Sequence, residues 1–262
     1  MLVFPQVTTG ASAVYPVTRK FTARTVVNVL GNGSTVVYAD PDAGMREWTL
    51  AANGLTLVEW TAIEVLFQAV SGRLTAFTFL DPAGNLLLRS EAFGDSEWDN
   101  SPLMQLTPGV NDPFGTTRAM HVVNAGSAAG AIAQTLAVPG NFRYALSVWA
   151  KTAGASSVPL SATTTGGSAT LGFALTSQWR RISLEIGLGL STDSVVFGAE
   201  LEAGASVDLF GMQVEAQRGV SDYKKTDGGG GVYAQARFSG DELTVTARGT
   251  DAFDAVIGIV AN

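Results

Sequence analysis

The sequence predicts a mainly β chain with one helix, in which a discontinuous β-rich domain carries an inserted antiparallel β-sandwich. Three observations carry that expectation. Short β-branched and aromatic runs alternate with turn clusters, and the 262 residues include 30 glycines and nine prolines. Only one segment repeats its apolar residues at helical spacing with a start and a stop signal. Four consecutive glycines, 228–231, cut off three C-terminal strands that are too few to fold alone.

The elements follow in order. Thr25-Val26-Val27-Asn28-Val29-Leu30 reads as a strand, Gly31-Asn32-Gly33-Ser34 as a turn and Thr35-Val36-Val37-Tyr38 as the return. Residues 39–44 read as a loop and Glu47-Trp48-Thr49-Leu50 as a short strand. Thr56-Leu57-Val58-Glu59 is a capping box, in which hydroxyl and carboxylate each take the other residue's amide. Trp60, Ile63, Phe67 and Val70 then share a helical face, and Ser71-Gly72 stops the helix at about 57–70. That stripe is expected to pack on the neighbouring sheet, with an oligomer contact as the rival reading. Leu74–Leu80 alternates as a strand, ended by Asp81-Pro82.

From Asn85 no helical pattern appears. Strands are expected at 119–123, 131–136, 144–150, 179–185, 194–199 and 207–214, with a hairpin in the Gly/Ser/Thr/Ala-rich stretch 153–170. After the tetraglycine, 232–238 and 243–247 form a hairpin and 255–260 an apolar strand. The domains are therefore expected to be 1–84, an insert of 85–226, and a Gly-rich linker with strands at 227–262 that complete the first. Insertion is tolerated where chain ends lie close at exposed turns.

Composition narrows the chemistry. With no cysteine, thiolate metal sites, disulfides and cysteine nucleophiles are excluded, and one histidine, His121, excludes multi-histidine metal sites. Sixteen Lys/Arg against 23 Asp/Glu give a net charge of −7 and no basic stripe for nucleic acid. No apolar run reaches the ~20 residues of a membrane-spanning helix, and the start lacks the pattern of a signal peptide. No cofactor is expected: the tetraglycine leads to Val232-Tyr233, so the phosphate-loop pattern fails. No metal and no catalytic residue is expected either, because no serine elbow surrounds His121 and the acidic pairs are ordinary strand-face residues.

Two resemblances add to this reading. Phe4-Pro5, Tyr15-Pro16-Val17-Thr18-Arg19-Lys20-Phe21, Arg24–Asn28, Glu47-Trp48, Gly54-Leu55-Thr56 with Glu59-Trp60, and Phe77–Pro82 resemble the N-terminal domain of distal-tail-type proteins. Those belong to long-tailed bacteriophages, prophages and gene transfer agents. Within the insert, Asn85–Phe93 with Trp98, Asp112–Ala119, Ala145–Lys151, Trp179–Ser183 and Leu209–Glu215 resemble a carbohydrate-binding-type jelly-roll module of phage tail and fibre proteins. The exit, Ser221-Asp222-Tyr223-Lys224-Lys225-Thr226, departs from that module's closing stretch.

The resemblances imply a non-enzymatic virion protein at the tail tip, assembled in the host cytoplasm. Its partners would be copies of itself in a sixfold ring, the tail tube, tip or hub proteins, and a host-surface glycan. A lectin or carbohydrate-active enzyme on a jelly roll is the alternative. Sugars stack their C–H faces on aromatic rings and pair their hydroxyls with polar side chains. Trp98, with Asp95 and Asn100 beside it, is therefore one candidate platform, with a sandwich-edge plug as the rival reading. Trp179 is a second candidate, and Trp149 is expected in the core.

Overall fold

The computed structural model describes residues 1–7, 15–154 and 156–261, the side chains of 41–43 excepted. In chain order the elements are β1 (Val17–Val29), β2 (Thr35–Leu55), α1 (Leu57–Ala69), β3 (Phe77–Leu80), β4 (Asp99–Asn100), β5 (Met104–Val110), β6 (Ala119–Asn124), β7 (Gly130–Leu136), β8 (Arg143–Lys151), β9 (Ser157–Thr164), β10 (Gly167–Ala174), β11 (Arg180–Gly187), β12 (Val195–Leu201), β13 (Ser206–Glu215), β14 (Val232–Phe238), β15 (Val245–Gly249) and β16 (Ala252–Ala261). They fall into two compact units. One holds residues 1–7, 15–79 and 233–261, and the other holds Leu80–Val232.

The first unit is a sheet of order β1-β2-β16-β14-β3, with β15 also on β16. The C-terminal strand β16 lies antiparallel on β2 from Arg46 to Leu55. The chain's two ends thus share one ladder. An aromatic cluster fills its core: Phe79 meets Trp48 at 5.1 Å and Phe4 at 5.8 Å, and Phe238 meets Phe77 at 4.9 Å. The first two pairs are edge-to-face and the third is tilted; edge-to-face rings at such spacing add about 0.5–1.5 kcal/mol per pair beyond burial.

The helix α1 begins at Thr56, whose hydroxyl accepts from the Glu59 amide while Glu59 accepts from the Thr56 amide at 2.7 Å. Trp60, Ile63, Leu66 and Val70 are buried, so the inner stripe is core. Gly72 adopts a positive φ of 64° and ends the helix. The expected loop at 39–44 is instead strand. β2 runs through it, and the register with β1 shifts there: Met45 faces Thr22 and Asp40 faces Arg24, so residues 41–44 form a bulge on β2 itself.

The second unit is a sandwich of two antiparallel five-stranded sheets, β10-β9-β12-β7-β4 and β11-β8-β13-β6-β5. Leu146, Val148, Val158, Leu160, Phe197 and Leu209 are buried in it. Tyr144 of β8 and Phe197 of β12 meet edge-on at 5.2 Å across the layer. The expected hairpin at 153–170 is β9–β10; Ala155 lies outside the described residues.

The neck of this unit is closed by backbone. Asp81 N–H donates to Gly231 O and Gly231 N–H donates to Asn85 O, both at 2.8 Å. Arg89 N–H reaches Asp227 O at 2.9 Å. The tetraglycine is therefore part of the sandwich's seam, and the unit boundaries lie at 79 and 232 where the sequence suggests 84 and 226. Asn85 sits inside the seam. Its amide donates to Met212 O and Lys224 O, and its carbonyl accepts from the Leu87 and Val214 amides.

Candidate functional site

Trp98 is not a platform. It is 5% exposed, donates from Nε1 to Arg89 O at 3.0 Å and stands edge-on to Phe93 at 5.0 Å. A buried indole with a satisfied N–H plugs the sandwich edge and offers no ring face. Asp95 pairs with Arg89 at 3.5 Å, and Asn100 donates to Phe93 O at 2.8 Å. Both polar neighbours hold the loop around the plug. Trp149, expected in the core, is instead half-buried and meets Phe114 edge-on at 5.9 Å.

Trp179 has a different setting. It is half-buried, and Lys151 Nζ stands 4.8 Å from its ring centroid. Its Nε1 donates to Asn111 O at 3.2 Å, which fixes the ring plane. Lys151 Nζ lies 3.5 Å from Asp208 Oδ2, and Asp208 Oδ1 lies 2.6 Å from His121 Nδ1. Ser206 Oγ follows at 3.2 Å from His121 Nε2. One continuous row therefore crosses the sheet: Trp179, Lys151, Asp208, His121, Ser206.

Strand geometry explains the row. Successive side chains point to opposite faces. Ala150, Val122 and Leu209 are buried inward, so Lys151, His121 and Asp208 point outward. Register does the rest, because Asp208 pairs with both Lys151 and His121. At the Ser206 end a cleft of about 650 Å³ opens, lined by His121, Thr152, Glu202, Ser206 and Asp208. Its rim is braced by Thr152, whose hydroxyl donates to Ser206 O at 2.8 Å.

The hydrogen bonds assign roles. A carboxylate accepts only, so Nδ1–H of His121 donates to Asp208, and Nε2 faces the Ser206 hydroxyl, which can donate or accept there. That order matches a nucleophile, base and orienter. Two observations weigh against catalysis. Lys151 shares the Asp208 carboxylate, which weakens its hold on the imidazole. The amides beside Ser206 are engaged: Gly204 N–H donates to Asn124 O at 2.9 Å and Ala205 N–H to Glu202 O at 3.0 Å. They are spent on carbonyls and cannot also steady an oxyanion. The row suits a polar ligand with an apolar face better than an acyl transfer.

A second network lies beside the exit segment. Glu215 is fully buried and accepts from the Ser221 amide at 3.0 Å, the Ser221 hydroxyl and Lys224 Nζ at 2.8 Å. Burial opposes its ionisation, but the hydrogen bonds outweigh burial and hold its pKa below the usual carboxylate value. Arg181 donates to Ser221 O and to Ser147 Oγ at 3.0 Å. Asp112 ties the turn after β5: it accepts from the Phe114 amide at 2.8 Å and the Thr116 amide at 3.2 Å. Glu215 and Arg181, through Ser221 and Lys224, fasten the departing exit stretch to the sheet.

No family model matches the chain, and no curated protein matches it. Solved structures do resemble it. One is the TmCBM61 module in complex with β-1,4-galactotriose, at 15% identity and TM-score 0.40, covering 50% of this chain and 97% of that one. Another is the CBM22-1 xylan-binding domain of Paenibacillus barcinonensis Xyn10C, at 15% identity and TM-score 0.41, covering 54% and 99%. A third is the enzymatically active domain of bacteriophage CBA120 tailspike protein 4, at 15% identity and TM-score 0.39. The match covers 52% of this chain but 22% of that tailspike chain.

Proposed function

We propose that the chain is a non-catalytic structural subunit of a phage-type tail tip, and that its sandwich unit binds a host-surface glycan. The observation that carries the glycan reading is the row from Trp179 to Ser206 beside its cleft. An aromatic ring, an ammonium, a carboxylate, an imidazole and a hydroxyl stand within one sugar chain's reach. They supply both the stacking surface and the hydroxyl partners that a saccharide needs. Single weak contacts become effective when many copies are presented together.

The tail reading is supported by the runs that resemble distal-tail-type proteins. Phe4, Trp48, Trp60, Phe77 and Phe79 from those runs are buried in the first unit. In this reading that unit is the scaffold, and the sandwich is the module it carries.

The test is a glycan array of bacterial surface polysaccharides, followed by calorimetric titration of the hits against the full chain and its Trp179→Ala variant. Binding that falls at least about fivefold in the variant supports the reading, an aromatic contact contributing on the order of 1 kcal/mol. Binding that ignores Trp179, or release of shortened oligosaccharides by the wild type, overturns it.

A further inference from the structure

Among the described residues of the second unit, Phe114 is the most exposed aromatic residue, at 58%. A single exposed apolar side chain on a loose loop needs no explanation. This one is neither loose nor isolated. Its amide donates to the buried Asp112 carboxylate at 2.8 Å, and the Thr116 amide donates to the same oxygen at 3.2 Å. Its ring stands edge-on to Trp149 and to Phe210, at 5.9 Å from each.

Strand register places the ring beside the row. Phe210 pairs with Trp149, and Asp208 pairs with Lys151. These are successive rungs on one face of β13 and β8, about 7 Å apart along the strands. Phe114 therefore stands over the rung next to the one that carries Lys151 and Asp208, on the same face. Trp179 belongs to the Lys151 rung, with its ring centroid 4.8 Å from Lys151 Nζ. One turn fixes both rings. Asn111 O accepts from Trp179 Nε1, and the next residue, Asp112, holds the Phe114 amide.

We infer that Phe114 is a second stacking ring of the glycan site, and that the site takes a chain of at least two sugars and not a lone one. The inference rests on the glycan reading of the row and deepens it. Rings set a rung apart receive the C–H faces of neighbouring sugars, while the polar side chains beside them pair with hydroxyls. The second contact forms within an already bound chain, so it adds affinity without a second encounter. A rigid sheet carrying short, braced loops is where such contacts are held in place.

The rival role is a cover for the buried Phe210. A cover needs only apolar bulk, which leucine supplies; a stacking contact needs the ring face. The two roles separate on Phe114→Leu.

The experiment titrates the full chain with those bacterial surface polysaccharides that the array retains, each cut into fragments from single sugars to long oligosaccharides. Calorimetry reads the strong fragments and ligand-observed NMR the weak ones. Wild-type affinity should rise at least about fivefold once a second sugar is present, as for one aromatic contact. Phe114→Leu should keep the one-sugar affinity and lose that rise, and Phe114→Tyr should restore it. Trp179→Ala should weaken every length. Thermal melts check that each variant is folded; Phe114→Met replaces the leucine variant if it is not. A wild type indifferent to length, a Phe114→Leu curve that follows the wild type, or a leucine variant weakened equally at every length overturns the inference. If Trp179→Ala weakens binding and Phe114→Leu does not, the glycan reading stands and only the second ring falls. A wild type that retains no polysaccharide, or binding that ignores Trp179, overturns both.

Discussion

His121 Nδ1 lies 2.6 Å from Asp208 Oδ1, and the same carboxylate meets Lys151 at 3.5 Å through its other oxygen. Asp208 therefore organises both ends of the row. Asp208→Asn should keep the fold, since these are partly exposed pairs that contribute about 1 kcal/mol at most. It should lower glycan affinity more than stability. Parallel thermal melts and titrations check this; a large Tm loss with unchanged affinity would make the row structural.

Ser206 tests the catalytic alternative. Its neighbouring amides are occupied, so it should not react with a fluorophosphonate probe, and Ser206→Ala should leave any ester turnover at background. Mass spectrometry of the labelled protein reads the outcome. A labelled Ser206 would restore the hydrolase reading.

Acid should loosen the exit segment, which Glu215 holds, and the turn after β5, which Asp112 holds. Glu215 and Asp112 have pKa values lowered against burial by their hydrogen bonds. A lowered folded-state pKa means stabilisation that is present above the unfolded-state value, about 4 for a carboxylate, and lost as pH falls through the folded value. Stability should thus be flat near neutrality and fall steeply below about pH 4. Glu215→Gln should cost about 2–4 kcal/mol at neutral pH, because Lys224 and Ser221 lose their buried partner, and should flatten that acid limb. Urea unfolding at several pH values measures both.

Gly211 lies in the bulge of β13, at φ 63°, and a Cβ there would sit 2.9 Å from the Tyr223 ring. Gly211→Ala should destabilise the sandwich by about 2–3 kcal/mol through backbone strain and the displaced ring. A change under about 0.5 kcal/mol would show that Tyr223 moves freely and is no part of the seam.

Local chemistry made much of the chain legible. The capping box of Thr56 and Glu59, the stop at Gly72 and the alternation along β6, β8, β11 and β13 are written in neighbouring residues. β5 escaped because Pro108 and Gly109 interrupt its pattern, and the structure accommodates them at a bulge between Pro108 and Val110. The sequence pattern splits β2 in two because Pro41 resembles a break, while the structure runs one strand through it.

The site was less legible. Trp98 and Trp179 both sit among polar residues in the sequence, and nothing local distinguishes a plug from a platform. That difference arises from what lies across the chain: Phe93 and Arg89 O for the first, Lys151 and Asn111 O for the second. The sequence around His121 shows none of its partners, because Asp208 and Ser206 are more than 80 residues away. By itself the sequence determined the β class, the single helix and its caps, the absence of thiol and multi-histidine chemistry, and the need for the C-terminal strands to find a partner. These depend on composition and on contacts within a few residues. Only the tertiary structure decided which strands pair, in which register, and so which side chains share a face. Strand register joins residues far apart in the chain, and a shift by one residue would have turned Asp208 inward and dissolved the row.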